Sequence, residues 1–103
     1  MLTVFITCAS GKEAGRIATA LVKGRLAACV NYFPCRSVFR WKGRMKKSKE
    51  FVLLAKTTEK KYSALERLVL RLHSHNLPAV FAWQDNRASK AYLKWVEASC
   101  ARH

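Results

Sequence analysis

The sequence predicts an α+β fold of order βαββαβ with an additional C-terminal helix, and three observations carry that prediction. Strand-length runs rich in β-branched, aromatic and other apolar residues occur at 2–8, 26–33, 51–55 and 79–83. Apolar residues recur at helical spacing over 14–22 and 62–72. The chain has 103 residues, half of them hydrophobic, which suits a single domain, 1–103, with a core of its own. This element order is the split-βαβ, ferredoxin-like arrangement, an antiparallel sheet with its helices on one face.

In chain order, LTVFITC at 2–8 is the first strand. Ser10 and Glu13 form a capping box: the Ser10 hydroxyl accepts from the Glu13 amide, and the Glu13 carboxylate reaches back. Ala14, Ile17, Ala18, Leu21 and Val22 give the first helix its apolar stripe, and Gly24 stops it. The second strand begins at Leu26. Its two alanines leave room for a helix, and Cys29 reads as a small apolar packing residue. Pro34 interrupts the ladder because it has no N–H to donate. The strand resumes over 37–42 with Phe39 and Trp41 on one face and Arg40 and Lys42 outward, so one long, kinked strand is expected. Residues 43–49 read as a polar turn. The continuous apolar run at 51–55 reads as a central strand covered on both faces. Tyr62, Leu65, Leu68, Val69 and Leu72 line a second helix, 73–77 is a loop before Pro78, and 79–83 is the last strand. Ser89 caps a final helix bearing Ala91, Tyr92, Trp95 and Val96. One sheet face is left without helices. With Phe39, Trp41 and Trp83 on strands, another subunit is its expected cover.

The charge is lopsided. Twenty Lys and Arg against six Asp and Glu give +14, a field that favours acidic partners. The four cysteines contain no CxxC pair, so they read as reduced thiols rather than as disulfides or a structural zinc site. The opening MLTVFITCAS has no basic leader and reads as a strand, not a signal peptide. No apolar run reaches membrane-span length. The expected compartment is the cytoplasm, without membrane insertion. Catalysis is not expected: there is no phosphate-cradling glycine loop, no HExxH and no GxSxG. A Cys8–His73 pair is the one nucleophilic arrangement left, and only its geometry would reveal it.

Six stretches together resemble the CutA family of divalent-cation-tolerance proteins. They are AxxxA at 14–18, LAACVN at 26–31, SVFRWKG at 37–43, EFVLLAKTT at 50–58, HxxxxP at 73–78 and AYLKW at 91–95. They follow the family's order over nearly the whole chain. The resemblance implies a tight homotrimer whose sheets pair across subunits, with the architecture of the trimeric PII signalling proteins. It also implies a role in tolerance of copper and other divalent ions, with no established reaction. The chain departs from the family in several places. Ile6 stands where some members carry a cysteine, with Cys8 two positions on. Leu72 replaces the first of a His-His pair, Asn76 and Ala79 stand at positions that tend to be acidic, and the 42–49 segment is basic where it is usually acidic.

Three sets of candidate residues follow. His73 is the leading metal ligand, with Cys8 and His75 as helpers, because imidazole and thiolate suit copper or zinc. No cofactor is obligatory, and copper or another divalent ion is the one such a set would take. Lys56, Glu50, Trp41, Tyr92 and Trp95 match positions that line clefts between subunits in the family. A small anion there, or a Lys56–Glu50 ion pair, would satisfy the lysine. Lys42, Arg44, Lys46, Lys47 and Lys49 form a basic set for a polyanion, with nucleic-acid binding expected to be non-specific and salt-sensitive. The aromatic signature of an RNA-recognition module is missing.

Overall fold

The computed structural model describes residues 1–101. The observed elements are β1 (Leu2–Cys8), α1 (Gly11–Lys23), β2 (Cys29–Trp41), β3 (Arg44–Thr57), α2 (Tyr62–Leu72), β4 (Val80–Gln84) and α3 (Lys90–Cys100), with a 3-10 turn at Glu59–Lys61. The strands form one antiparallel sheet of order β2-β3-β1-β4. This is the expected ferredoxin-like sheet, and both crossover helices pack on one face of it.

The caps work as the residues suggest. The Ser10 hydroxyl accepts from the Glu13 amide at 3.1 Å. The Glu13 carboxylate reaches one residue further back than a capping box requires, to the Ala9 amide at 3.3 Å. Ser89 caps α3 by accepting from Tyr92 N–H. At the end of α1 the left-handed conformation falls on Arg25 (φ 57) rather than on Gly24. The amides of Leu26 and Ala27 both fold back onto the Leu21 carbonyl. That closure uses up the residues expected to open β2, which begins at Cys29 instead.

The buried side of the sheet carries Val4, Ile6, Leu53 and Ala55, packed under Ala14, Ile17, Leu21, Leu65 and Val69. Ala28 joins Val96 and Cys100 of α3 in a second, smaller cluster. Pro34 does not end β2: it pairs with Phe51 inside the strand. Its missing donor is tolerated because β2 is an edge strand.

The 43–49 segment is not a turn. The turn is two residues long, Lys42 (φ 51) and Gly43 (φ 78), and β3 starts at Arg44. Positive φ at both central positions gives the turn whose twist matches a hairpin. β1 pairs with β3 only from Phe51 to Thr57. The seven pairs from Cys35↔Glu50 to Trp41↔Arg44 therefore have no third strand beside them. They form a free ribbon roughly 23 Å long at strand rise, here called the arm, and the molecule measures 45 × 26 × 21 Å.

Alternation fixes the two faces of the ladder. Tyr32 and Phe51 meet α1 at Gly15 and Gly11, which sets the helix side. The other side carries Phe5, Phe33, Phe39, Trp41, Phe81 and Trp83, all except Phe5 classed as exposed. The expected uncovered aromatic face is present.

Candidate functional site

His73 follows the last residue of α2 and is buried. Its Nε2 lies 2.6 Å from the Thr7 carbonyl. A carbonyl only accepts, so Nε2 carries the proton. Nδ1 then accepts from the His75 amide at 3.0 Å. The Glu13 carboxylate lies 3.8 Å from Nδ1, beyond hydrogen-bond reach. Its own partners are the Ser74 amide at 2.8 Å and the Ser74 hydroxyl at 3.1 Å. Burial raises the Glu13 carboxyl, but the donors from Ser74 and Ala9 outweigh it and hold the group below its ordinary value. Together Glu13, Ser74 and His73 tie the loop after α2 to the β1–α1 turn. Both His73 nitrogens are engaged, so in this arrangement neither offers a lone pair to a metal.

Cys8 lies on the helix side, buried, with its thiol 3.6 Å from the Ser10 carbonyl. Burial first, and then the nearby Glu13 charge, push it up to about 11. It is held as a thiol, a poor ligand and nucleophile. His75 is exposed and stacks at a tilt on His73, with ring centroids 5.0 Å apart. Among the described residues no three His, Cys, Asp or Glu side chains converge as a metal site would need. His75 and Glu50 do share one feature. Both line an open recess of about 950 Å³ that runs from Phe5 out along the arm to Phe39 and Trp41, with Lys46 and Lys47 also on its wall.

The five cleft residues divide between two places. Trp41 and Glu50 belong to the arm and the recess. Lys56 lies six residues along β3 from Glu50, about 20 Å at strand rise, so the anticipated ion pair does not form. Its ammonium instead donates to the Asn31 side-chain carbonyl. Cys29, opposite Lys56 on the uncovered face, is half-buried and lies outside the core cluster, contrary to the core placement expected for it. Tyr92 and Trp95 project from α3 with centroids 5.6 Å apart. Burial, then Cys29 and Asp85, raise the Tyr92 hydroxyl. The five basic residues Lys42, Arg44, Lys46, Lys47 and Lys49 are all exposed on the arm, on strand positions and at its tip.

Sequence reasoning missed Glu13 as more than a cap, and missed Asn31 and Asp85 altogether. Asp85 accepts from the Thr3 hydroxyl at 2.9 Å across the start of the sheet. Each of these contacts joins residues far apart in the chain, and no local pattern announces them.

Comparison with known proteins then settles the family. The profile of the CutA1 divalent ion tolerance proteins matches residues 2–99. The chain belongs to this family. A divalent-cation tolerance protein CutA from Archaeoglobus fulgidus is 37% identical over 94 residues, covering 91% of this chain and 92% of that one. A Thermus thermophilus relative of the same description is 39% identical over 94 residues, 90% of this chain and 91% of its own. The solved Archaeoglobus CutA structure, described as periplasmic, superposes with a TM-score of 0.94 and covers 97% of this chain and 99% of its own. Family membership accounts for the ferredoxin-like sheet, which the solved Archaeoglobus structure shares.

Proposed function

We propose that this protein serves divalent-cation tolerance as a non-catalytic homotrimer. The observation that carries this is the family match over residues 2–99. Two features of the fold support assembly. An exposed aromatic sheet face of this extent needs a cover, and a free two-stranded ribbon is marginal in water until something packs on it. In the trimer, copies cover Phe33, Phe39, Trp41, Phe81 and Trp83. The metal contact falls to His75 and Glu50, which line one recess and offer imidazole and carboxylate to copper or another divalent ion. His73 and Cys8 hold the loop and the core beneath it. The compartment is proposed as the cytoplasm. Four free thiols support a reducing environment, although the Archaeoglobus relative is described as periplasmic.

Native mass spectrometry of the reduced, nucleic-acid-free protein during a copper titration tests both halves. The expected result is a trimer that takes up copper in discrete steps, lost in His75→Ala and Glu50→Gln but kept in His73→Gln. A monomer would overturn the assembly. A trimer that stays metal-free would overturn the metal contact and leave the scaffold standing.

A further inference from the structure

The arm holds seven cations, Arg36, Arg40, Lys42, Arg44, Lys46, Lys47 and Lys49, against one carboxylate, Glu50 at its root. All seven are exposed. Among the described residues the one carboxylate contact to a basic side chain is Glu13 with His73, so none of the seven is neutralised within the chain. Their placement is not random. On the helix side of the ribbon, beyond the end of the helices, Arg36 stands directly opposite Lys49, Val38 opposite Lys47 and Arg40 opposite Met45. Four cations therefore run as a zigzag, Lys49, Arg36, Lys47, Arg40, each about 5–8 Å from the next by cross-strand and diagonal spacing. Like charges placed directly opposite destabilise a ladder. At the root of this row Arg36 and Lys49 also line a recess of about 420 Å³, with Ala9, Pro34, Glu50 and Phe51 around it.

We propose that this face of the arm is a binding site for the phosphate backbone of duplex nucleic acid. Repelling cations in a regular row are relieved by a regular row of anions, and a duplex supplies one at fixed spacing. By strand alternation the row lies on the face opposite Phe39 and Trp41, and although Lys47 also borders the recess on the aromatic side, covering that side with further copies leaves Lys49, Arg36 and Arg40 open. Two other polyanionic surfaces fit less well. Single strands are held by aromatic stacking platforms, and no side chain on this face of the arm is aromatic, Phe51 lying only in the recess at its root. An anionic membrane binds elements with a broad apolar face set against a charged one. Here the apolar side chains are Val38 and Met45 alone, each flanked by cations. The row has no Asn, Gln or acidic side chain for adenine or cytosine edges, and its Arg and Lys are assigned to phosphates, which carry no sequence information, so binding is set by charge and shape. The site does not depend on the metal contact.

The test is fluorescence anisotropy of a labelled duplex of about 20 base pairs against the reduced, intact protein, from about 50 to 200 mM KCl. Four phosphates neutralised predict a slope of log K against log salt at least as steep as about −3.6. R36Q/R40Q/K47Q/K49Q should weaken binding by more than about tenfold at the low-salt end and flatten the slope. K47Q/K49Q alone should remove about half of the slope. K60Q/R67Q/R71Q/K94Q, the same charge loss on α2, α3 and the turn before α2, should bind nearly as wild type. Equal loss in this last variant would overturn the proposal, since the attraction would then be net charge alone. So would tighter binding of the matching single strand, or binding to phosphatidylserine vesicles without binding to duplex.

Discussion

The four-stranded body and the two-stranded arm are built from one continuous pair of strands, β2 and β3, yet obey different rules. Within the body, β3 reads Phe51-Val52-Leu53-Leu54-Ala55 and has neighbours on both edges and a helix layer above. In the arm the same strand reads Arg44-Met45-Lys46-Lys47-Ser48-Lys49 and has one neighbour and water. Backbone hydrogen bonding is common to both halves. What differs is apolar burial, the main favourable term in folding. The body holds itself together, whereas the arm is a strand pair kept in register by its turn and by whatever it meets.

That contrast can be broken at several points, beginning in the body. Leu53 is fully buried beneath the helices, so Leu53→Ala should cost about 2–5 kcal/mol, read as a fall in the urea midpoint. Glu13→Gln should cost about 1–3 kcal/mol, because Ser74 and Ala9 donors lose a charged acceptor at a nearly buried site. This variant also has a pH signature. The folded carboxyl titrates below its unfolded value of about 4.3. Its contribution is therefore complete above that value and is lost as pH falls through the folded value. Wild type and Glu13→Gln should differ in stability at neutral pH and converge in acid. A constant gap across that range would show that the carboxylate charge is not what ties the loop.

Moving outward, Gly43→Ala places a Cβ at φ 78 with no atom within 4 Å of it. The cost is backbone strain alone, about 1–2 kcal/mol. It should appear as faster hydrogen exchange in the arm while the amides of β1 keep their protection. Loss of protection throughout would mean that arm and body unfold as one unit. Smallest is Met45→Ala. This side chain is 70% exposed, so the change should stay within about 0.5 kcal/mol, measured by the same denaturant titration. A larger loss would reveal that the far face of the arm is packed in the assembly.

The body was largely legible in the sequence because its signals are local. Period-two and helical patterns, the Ser10 and Ser89 caps and the apolar run at 51–55 each specify structure within a few residues. The arm was half-legible. Phe39 and Trp41 fell on one face as expected, but the lysine-rich 43–49 segment looks like a turn because lysine is disfavoured in strands. Strand preference depends on the partner and on burial, and here the partner is β2 along its whole length. The candidate site was least legible. His73 has the chemistry of a ligand, but its partner Thr7 lies 66 positions away. Residue type specifies what a side chain can bind, while the fold decides what it already binds. Lys56 and Glu50 failed to pair for a simpler reason: the length of strand between them.

Because the seven outer pairs touch no third strand and close through two residues, the arm behaves like a ruler with equal divisions. Deleting one cross-strand pair shortens it by a single strand rise and turns everything beyond the cut to the opposite side. Deleting two pairs shortens it further and restores the facing. Reach and facing can therefore be varied separately on an unchanged body, and a graded set of arm lengths would measure how far from the sheet the protein's contacts are made.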